Sequence, residues 1–237
     1  MGAGKCPFLE MTTVFFCKAY PMKKMIPVGK GAALKSPCST PGYCECGVFK
    51  ERNAPEKDVE HVRGFLLKTD CFFHPRHVWL SIARENESEA RLGVDDFTQQ
   101  LVGPVERVSV PPEGTAVREN GVCFLLHSGQ RVVKMVSPAD GVIHTVNPRV
   151  VAHPSLINHD PYNEGWILSL HLTGEGIRGL YYGNSARRWL DWEGERLKRM
   201  FASDLGLTAT DGGEPVPGFG ERLSEAQWGK IVNQFLG

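Results

Sequence analysis

Hydrophobic and polar positions alternate in short runs through the middle of the chain. Residues 77–83, 105–110, 121–126, 131–136, 141–147 and 166–172 form such runs, separated by Gly- and Pro-rich turns. Period-two alternation at this spacing predicts a mainly β body, a barrel or sandwich. One helix interrupts it. Val94-Asp95-Asp96 opens a segment running to about Leu101, with an acidic first turn that suits the helix dipole. After Leu172 the period lengthens. Ala186, Trp189, Leu190, Leu197, Met200 and Phe201 make one stripe of a helix over 186–201, with Ser185 as cap. Gly194 falls within that helix and predicts close approach of a neighbour, and Trp189 and Trp192 read as packing residues. Residues 203–222 are Gly/Pro-rich and acidic, a linker or wrapping loop. Ser224 and Gln227 then form a capping box. Trp228, Ile231, Val232 and Phe235 follow at helical spacing, predicting a short helix that docks on its own chain or anchors a partner.

This pattern divides the chain into a Cys-rich segment (1–50), a charged linker (51–73), a β domain (74–183) and C-terminal helices with a linker (184–237). The chain has 237 residues, with 27 basic and 27 acidic side chains. That zero formal balance argues against a nucleic-acid binder, whose footprint is a basic excess. No run approaches the ~20 apolar residues of a membrane span. There is no signal-peptide layout either, so the expectation is a cytoplasmic protein without membrane insertion.

The cysteines change the picture at the front of the chain. Five of the seven lie in the first 46 residues, spaced C-x10-C-x20-C-x5-C-x-C. Clustering in a cytosolic chain suggests metal binding more than disulfides. The spacing matches neither a zinc knuckle nor a ferredoxin run. The segment is broken by Pro7, Pro21, Pro27, Pro37 and Pro41, so a metal would supply folding energy that a core cannot. Lys18, Lys23, Lys24 and Lys30 would favour thiolates. The expected ligands are Cys6, Cys17, Cys38 and Cys46, holding a 4Fe–4S cluster or, alternatively, zinc. Cys44 and Cys46 are two apart and point to opposite sides of extended backbone, so only one of them is expected to ligate.

The β region carries a further set of motifs. His77-Val78-Trp79 opens it. Leu92-Gly93-Val94-Asp95-Asp96-Phe97 is followed by Leu101-Val102-Gly103, and a Val-Pro-Gly segment runs over 108–119. Ser137-Pro138-Ala139-Asp140-Gly141 precedes Val146-Asn147, and Asn158-His159-Asp160-Pro161-Tyr162 leads to Gly165-Trp166. In this order, from about His77 to Tyr182, these motifs resemble the glycine cleavage H-protein family. The resemblance implies a barrel-sandwich hybrid of β-strands with peripheral helices. It also implies a lipoyl-lysine at a hairpin tip, seven residues before the serine of Ser-Pro; that position is Gln130 here. Glutamine has no amine to form the lipoyl amide, so lipoate is not expected. The family's acidic residue three positions earlier is His127. Lys134, the only lysine between Glu119 and Ser137, falls inside an alternating run, and moving the tip there would shift the register against the core.

Other constellations are weaker. Cys71, His74 and His77 lack a fourth metal ligand. His127-Ser128 lacks a third catalytic partner, and Asp160 with Glu164 reads as turn and cap residues. No phosphate-loop, dinucleotide, metalloprotease or nucleophile-elbow motif is present. The expectation is therefore a non-enzymatic, unlipoylated module with protein partners in a redox or one-carbon complex. It would serve as electron relay or docking subunit. The alternatives are a zinc-stabilised interaction module and a genuine lipoyl carrier of the glycine cleavage type modified on another lysine, with Lys134 the candidate in the hairpin region.

Overall fold

The computed structural model describes residues 14–17, 24–27, 59–83, 86–173, 177, 179–203 and 218–237. Two compact units are distinguished, Met1–Glu56 and Lys57–Gly237. In the first, strands β1 (Val14–Cys17) and β2 (Lys24–Pro27) pair antiparallel. Cys17 ends β1. Cys6, Cys38, Cys44 and Cys46 lie outside the described residues.

The second unit is mainly β. A hairpin of β3 (Val59–Val62) and β4 (Phe65–Lys68) comes first. β5 (Phe72–Phe73), β6 (Val78–Ala83) and β7 (Asn86–Val94) follow, then helix α1 (Asp96–Val102). Next are β8 (Arg107–Ser109), β9 (Ala116–Val117), β10 (Val122–Ser128), β11 (Arg131–Val136) and β12 (Gly141–Val146). Short helices α2 (Pro148–Ala152) and α3 (Leu156–His159) precede β13 (Leu168–Leu172) and β14 (Tyr181–Tyr182). Helix α4 (Asn184–Ser203), a 3-10 turn (Phe219–Arg222) and helix α5 (Glu225–Phe235) complete the described chain. The strands form a seven-stranded sheet, β14-β5-β6-β7-β13-β12-β9, and a three-stranded sheet, β11-β10-β8. Leu92, Leu168 and Leu170 of the large sheet share one core with Phe124, Leu126, Val133 and Met135 of the small one. This is the expected sandwich-like β architecture with helices at its periphery, and no described helix is long and apolar enough to cross a membrane.

The six runs read as strands all contain strands, the run over 131–136 with its predicted ends. The linker expectation for 51–73 fails from Val59 onward. Val62, Phe65, Leu67, Cys71 and Phe73 are buried in the core, and the charged residues between them hid that apolar set. Asp95 caps α1 by accepting from Thr98 N at 2.9 Å. Gly194 lets α4 lie against the β3–β4 turn, since a Cβ there would stand 2.7 Å from Arg63 Cβ. Arg63 Nε donates to Asp191 Oδ1 at 2.8 Å across the same contact.

Trp79 fixes the centre of the large sheet. It is buried, and its Nε1 donates to Val94 O at 3.0 Å and Pro161 O at 3.1 Å. Gly93 lies opposite it in β7, where a Cβ would sit 2.8 Å from the indole ring. Gly93→Ala is therefore expected to destabilise the fold by about 1–3 kcal/mol through overpacking, measured by denaturant unfolding. Gly229→Ala, at a position with no neighbour within 4 Å and no positive φ, is the comparison without overpacking and is expected to cause no loss of stability.

Candidate functional site

Strands β10 and β11 pair antiparallel with Ser128 opposite Arg131, leaving Gly129 and Gln130 as a two-residue connection. Gly129 has φ +55° and Gln130 does not enter the left-handed region. That is the pattern of a II′ turn, whose twist matches the flanking strands. A Cβ on Gly129 would meet nothing within 4 Å, so the tip stands clear of the body. Gln130 is exposed there, at the position where the family resemblance places the hairpin tip. Lys134 lies in mid-strand opposite Leu125, exposed but away from the turn.

β8 supports one flank of this hairpin. Glu106 N donates to His127 O at 2.9 Å, and Gly129 N donates to Glu106 Oε2 at 3.3 Å. Both ring nitrogens of His127 are engaged, with Arg107 Nη2 at 3.0 Å from Nδ1 and Ser109 Oγ at 2.9 Å from Nε2. An arginine only donates, so Nδ1 accepts and Nε2 carries the proton toward Ser109. His127 is thus a brace between two strands. It has no substrate-facing nitrogen left for catalysis.

The other flank is held by the C-terminal segment. Arg131 Nη1 donates to Gly220 O at 2.9 Å and Nη2 to Leu223 O at 3.0 Å. Its Nε donates to Glu225 Oε1 at 2.9 Å, and its guanidinium carbon lies 4.9 Å from the centre of the Trp228 ring. Trp228 Nε1 in turn donates to Leu101 O, at the end of α1, at 2.9 Å. The capping box at Ser224 and Gln227 sets the start of α5, and Trp228, Ile231 and Phe235 are buried beneath it. α5 therefore docks on its own chain. No local pattern singled out Arg131, because its acceptors lie 89 and 92 residues further along.

The remaining candidates do not converge on a site. Burial, reinforced by Asp70, pushes the Cys71 thiol up to about 12, so it stays protonated. Burial and the Arg76 charge push His74 down to about 4, and its Nδ1 accepts from Arg76 N at 3.1 Å. His77 sits 2.7 Å from Asp95 Oδ2 and stacks on Phe97 with ring centres 4.1 Å apart. Among the described residues no group of three or more His, Cys, Asp or Glu could hold a metal. Asp160 spends both oxygens on its own loop, accepting from Asn163 Nδ2 and Glu164 N at 3.0 Å each, which is the turn role expected.

Comparison with known proteins gives this architecture a family. The profile of the glycine cleavage H-protein matches residues 72–191. A glycine cleavage system H protein from Legionella pneumophila is 36% identical over 101 residues, 43% of this chain and 78% of that protein. The chain belongs to the glycine cleavage H-protein family. A probable glycine cleavage system H protein 3 from Saccharolobus solfataricus is 32% identical over 117 residues, 49% of this chain and 81% of its own length. A solved glycine cleavage system H protein from Mycobacterium marinum is 27% identical with a TM-score of 0.46, covering 51% of this chain and 95% of its own. H proteins are carriers within a multi-protein system and are not themselves enzymes. In this H-protein relative the family match ends inside α4, so the 3-10 turn and α5 that grip Arg131 are additions to it.

Arg131→Ala removes a charged donor from two buried-side carbonyls, of which Gly220 O keeps only the long Leu223 N–H contact at 3.4 Å. It is expected to cost about 2–3 kcal/mol of stability. Hydrogen exchange should rise selectively in residues 219–235. Glu225→Ala, which removes an exposed partner, is expected to cost under ~1 kcal/mol.

Proposed function

We propose that this H-protein relative is an unlipoylated docking subunit whose hairpin is a fixed recognition element. The observation that carries the reading is Gln130, exposed at the tip where the family resemblance places the carrier lysine. An amide side chain cannot be acylated as an amine can, and the brace of Arg131 and His127 suits a rigid contact surface. The partners would be the proteins that recognise an H protein in the glycine cleavage system, or their counterparts in a related one-carbon or redox complex.

The test has two readouts. Intact mass of the chain, produced in cells that lipoylate other proteins, is expected to show no addition of about 188 Da, the increment of a lipoyl amide. Added to a glycine cleavage reaction containing a lipoylated H protein, the chain should inhibit by competition and support no turnover alone. A lipoyl mass on Lys134 with turnover would instead make it a carrier. Absence of both competition and modification would overturn the docking role.

The proposal extends to the Cys-rich segment. Cys6, Cys17, Cys38 and Cys46 would hold a 4Fe–4S cluster, and a cluster with four thiolate ligands suits electron relay better than substrate chemistry. What supports this is the concentration of thiols in a Pro-broken, Lys-bearing stretch. Protein purified without oxygen should be brown, with about four irons and four sulfides per chain. A colourless protein with about one zinc would make the segment a structural clip. A metal-free chain would end the metal reading.

A further inference from the structure

A cavity of about 330 Å³ lies beside the 160–165 loop, lined by Lys68, Arg91, Arg149, Glu164, Trp79 and Trp166 among others. Its volume is within the range of small-ligand sites, at the lower end of roughly 300–1,000 Å³. The hairpin contributes nothing to it.

Its charge is unbalanced. Lys68 ends β4, Arg91 sits in β7 and Arg149 belongs to α2, so three cations arrive from three separate elements. Glu164 is the sole acidic side chain in the lining. It pairs with Arg149. Lys68 Nζ donates to a neutral acceptor, Asn163 Oδ1, at 2.6 Å. The Arg91 guanidinium lies 4.9 Å from the centre of the Trp166 ring and makes no hydrogen bond or ion pair among the described residues. Aromatic contact holds a guanidinium without consuming its N–H donors. Arg91 therefore presents an intact donor set, and Lys68 retains two of its three protons for a ligand.

The walls are already set. Asp160 fixes Asn163 and Glu164 from inside the loop. Asn147 Nδ2 donates to Glu164 O at 3.0 Å and Trp166 O at 2.7 Å, tying the loop to the start of α2. Trp79 holds Pro161 O from the sheet side. A site whose donors and walls are positioned beforehand loses little free energy to ordering when it fills.

We infer that this cavity binds a compact, multiply charged oxyanion, a small polycarboxylate or a phosphate. This goes beyond the docking reading and depends on none of its residues. The full chain is titrated at low salt with citrate, with inorganic phosphate and with glycerol as neutral control, following heat of binding and tryptophan fluorescence. Saturable binding of either anion, with none of glycerol, is expected, and the anion that saturates identifies the class. Arg91→Gln and Lys68→Gln should each weaken binding at least tenfold, while Lys230→Gln, on the exposed side of α5, should leave it unchanged. Circular dichroism of each variant confirms that it is folded. No saturable response to either anion, or equal affinity in all three variants, overturns the inference. Lipoylation of the chain or failure to compete with an H protein would not affect this outcome.

Discussion

The indole N–H of Trp79 is the constraint on which most of the β body depends. It bonds two carbonyls, one at the end of β7 and one in the Asp-Pro-Tyr loop. Buried carbonyls left unpaired are costly, so the loop cannot drift from the sheet without breaking a bond that water cannot replace. Gly93 makes room for the ring, Tyr162 packs beside it, and the Tyr162 hydroxyl donates to Leu66 O at 2.6 Å. Through that chain of contacts the β3–β4 hairpin, the large sheet and the cationic cavity wall share one reference point.

The hairpin obeys a different constraint. Its register is local, set by a two-residue turn, but its orientation is imposed from outside by β8 on one side and the C-terminal segment on the other. Arg131 suits the second task because its planar fork reaches two carbonyls and a carboxylate while stacking on an indole. A lysine would keep one such contact. The result is a protruding tip on a stiff base, suited to presenting a shape and unsuited to swinging.

Legibility in the sequence followed the range of the interaction. The strand over 131–136, the start of α1 at Val94-Asp95-Asp96 and the Ser224–Gln227 box were readable because periodicity and helix-start signals act within a few residues. β3 and β4 were missed because Glu60, His61 and Arg63 interrupt their buried alternation, and β7 because only Ala90, Leu92 and Val94 carry its apolar face. The tip position was supplied by the family resemblance, while the pattern itself showed only the two flanking runs, 121–126 and 131–136. The clamp on Arg131 was not legible, because no pattern links a strand residue to backbone carbonyls 89 and 92 positions away. The cationic cavity has the same character, assembled from β4, β7 and α2.

That separation also imposes an order on biosynthesis. When β10 and β11 leave the ribosome, the carbonyls of Gly220 and Leu223 do not yet exist, and Trp228 is later still. The nascent hairpin must wait with an unmatched guanidinium, and Leu101 O with an unmet acceptor, until the last described segment emerges. The tip thus reaches its final stiffness only after translation has passed residue 228.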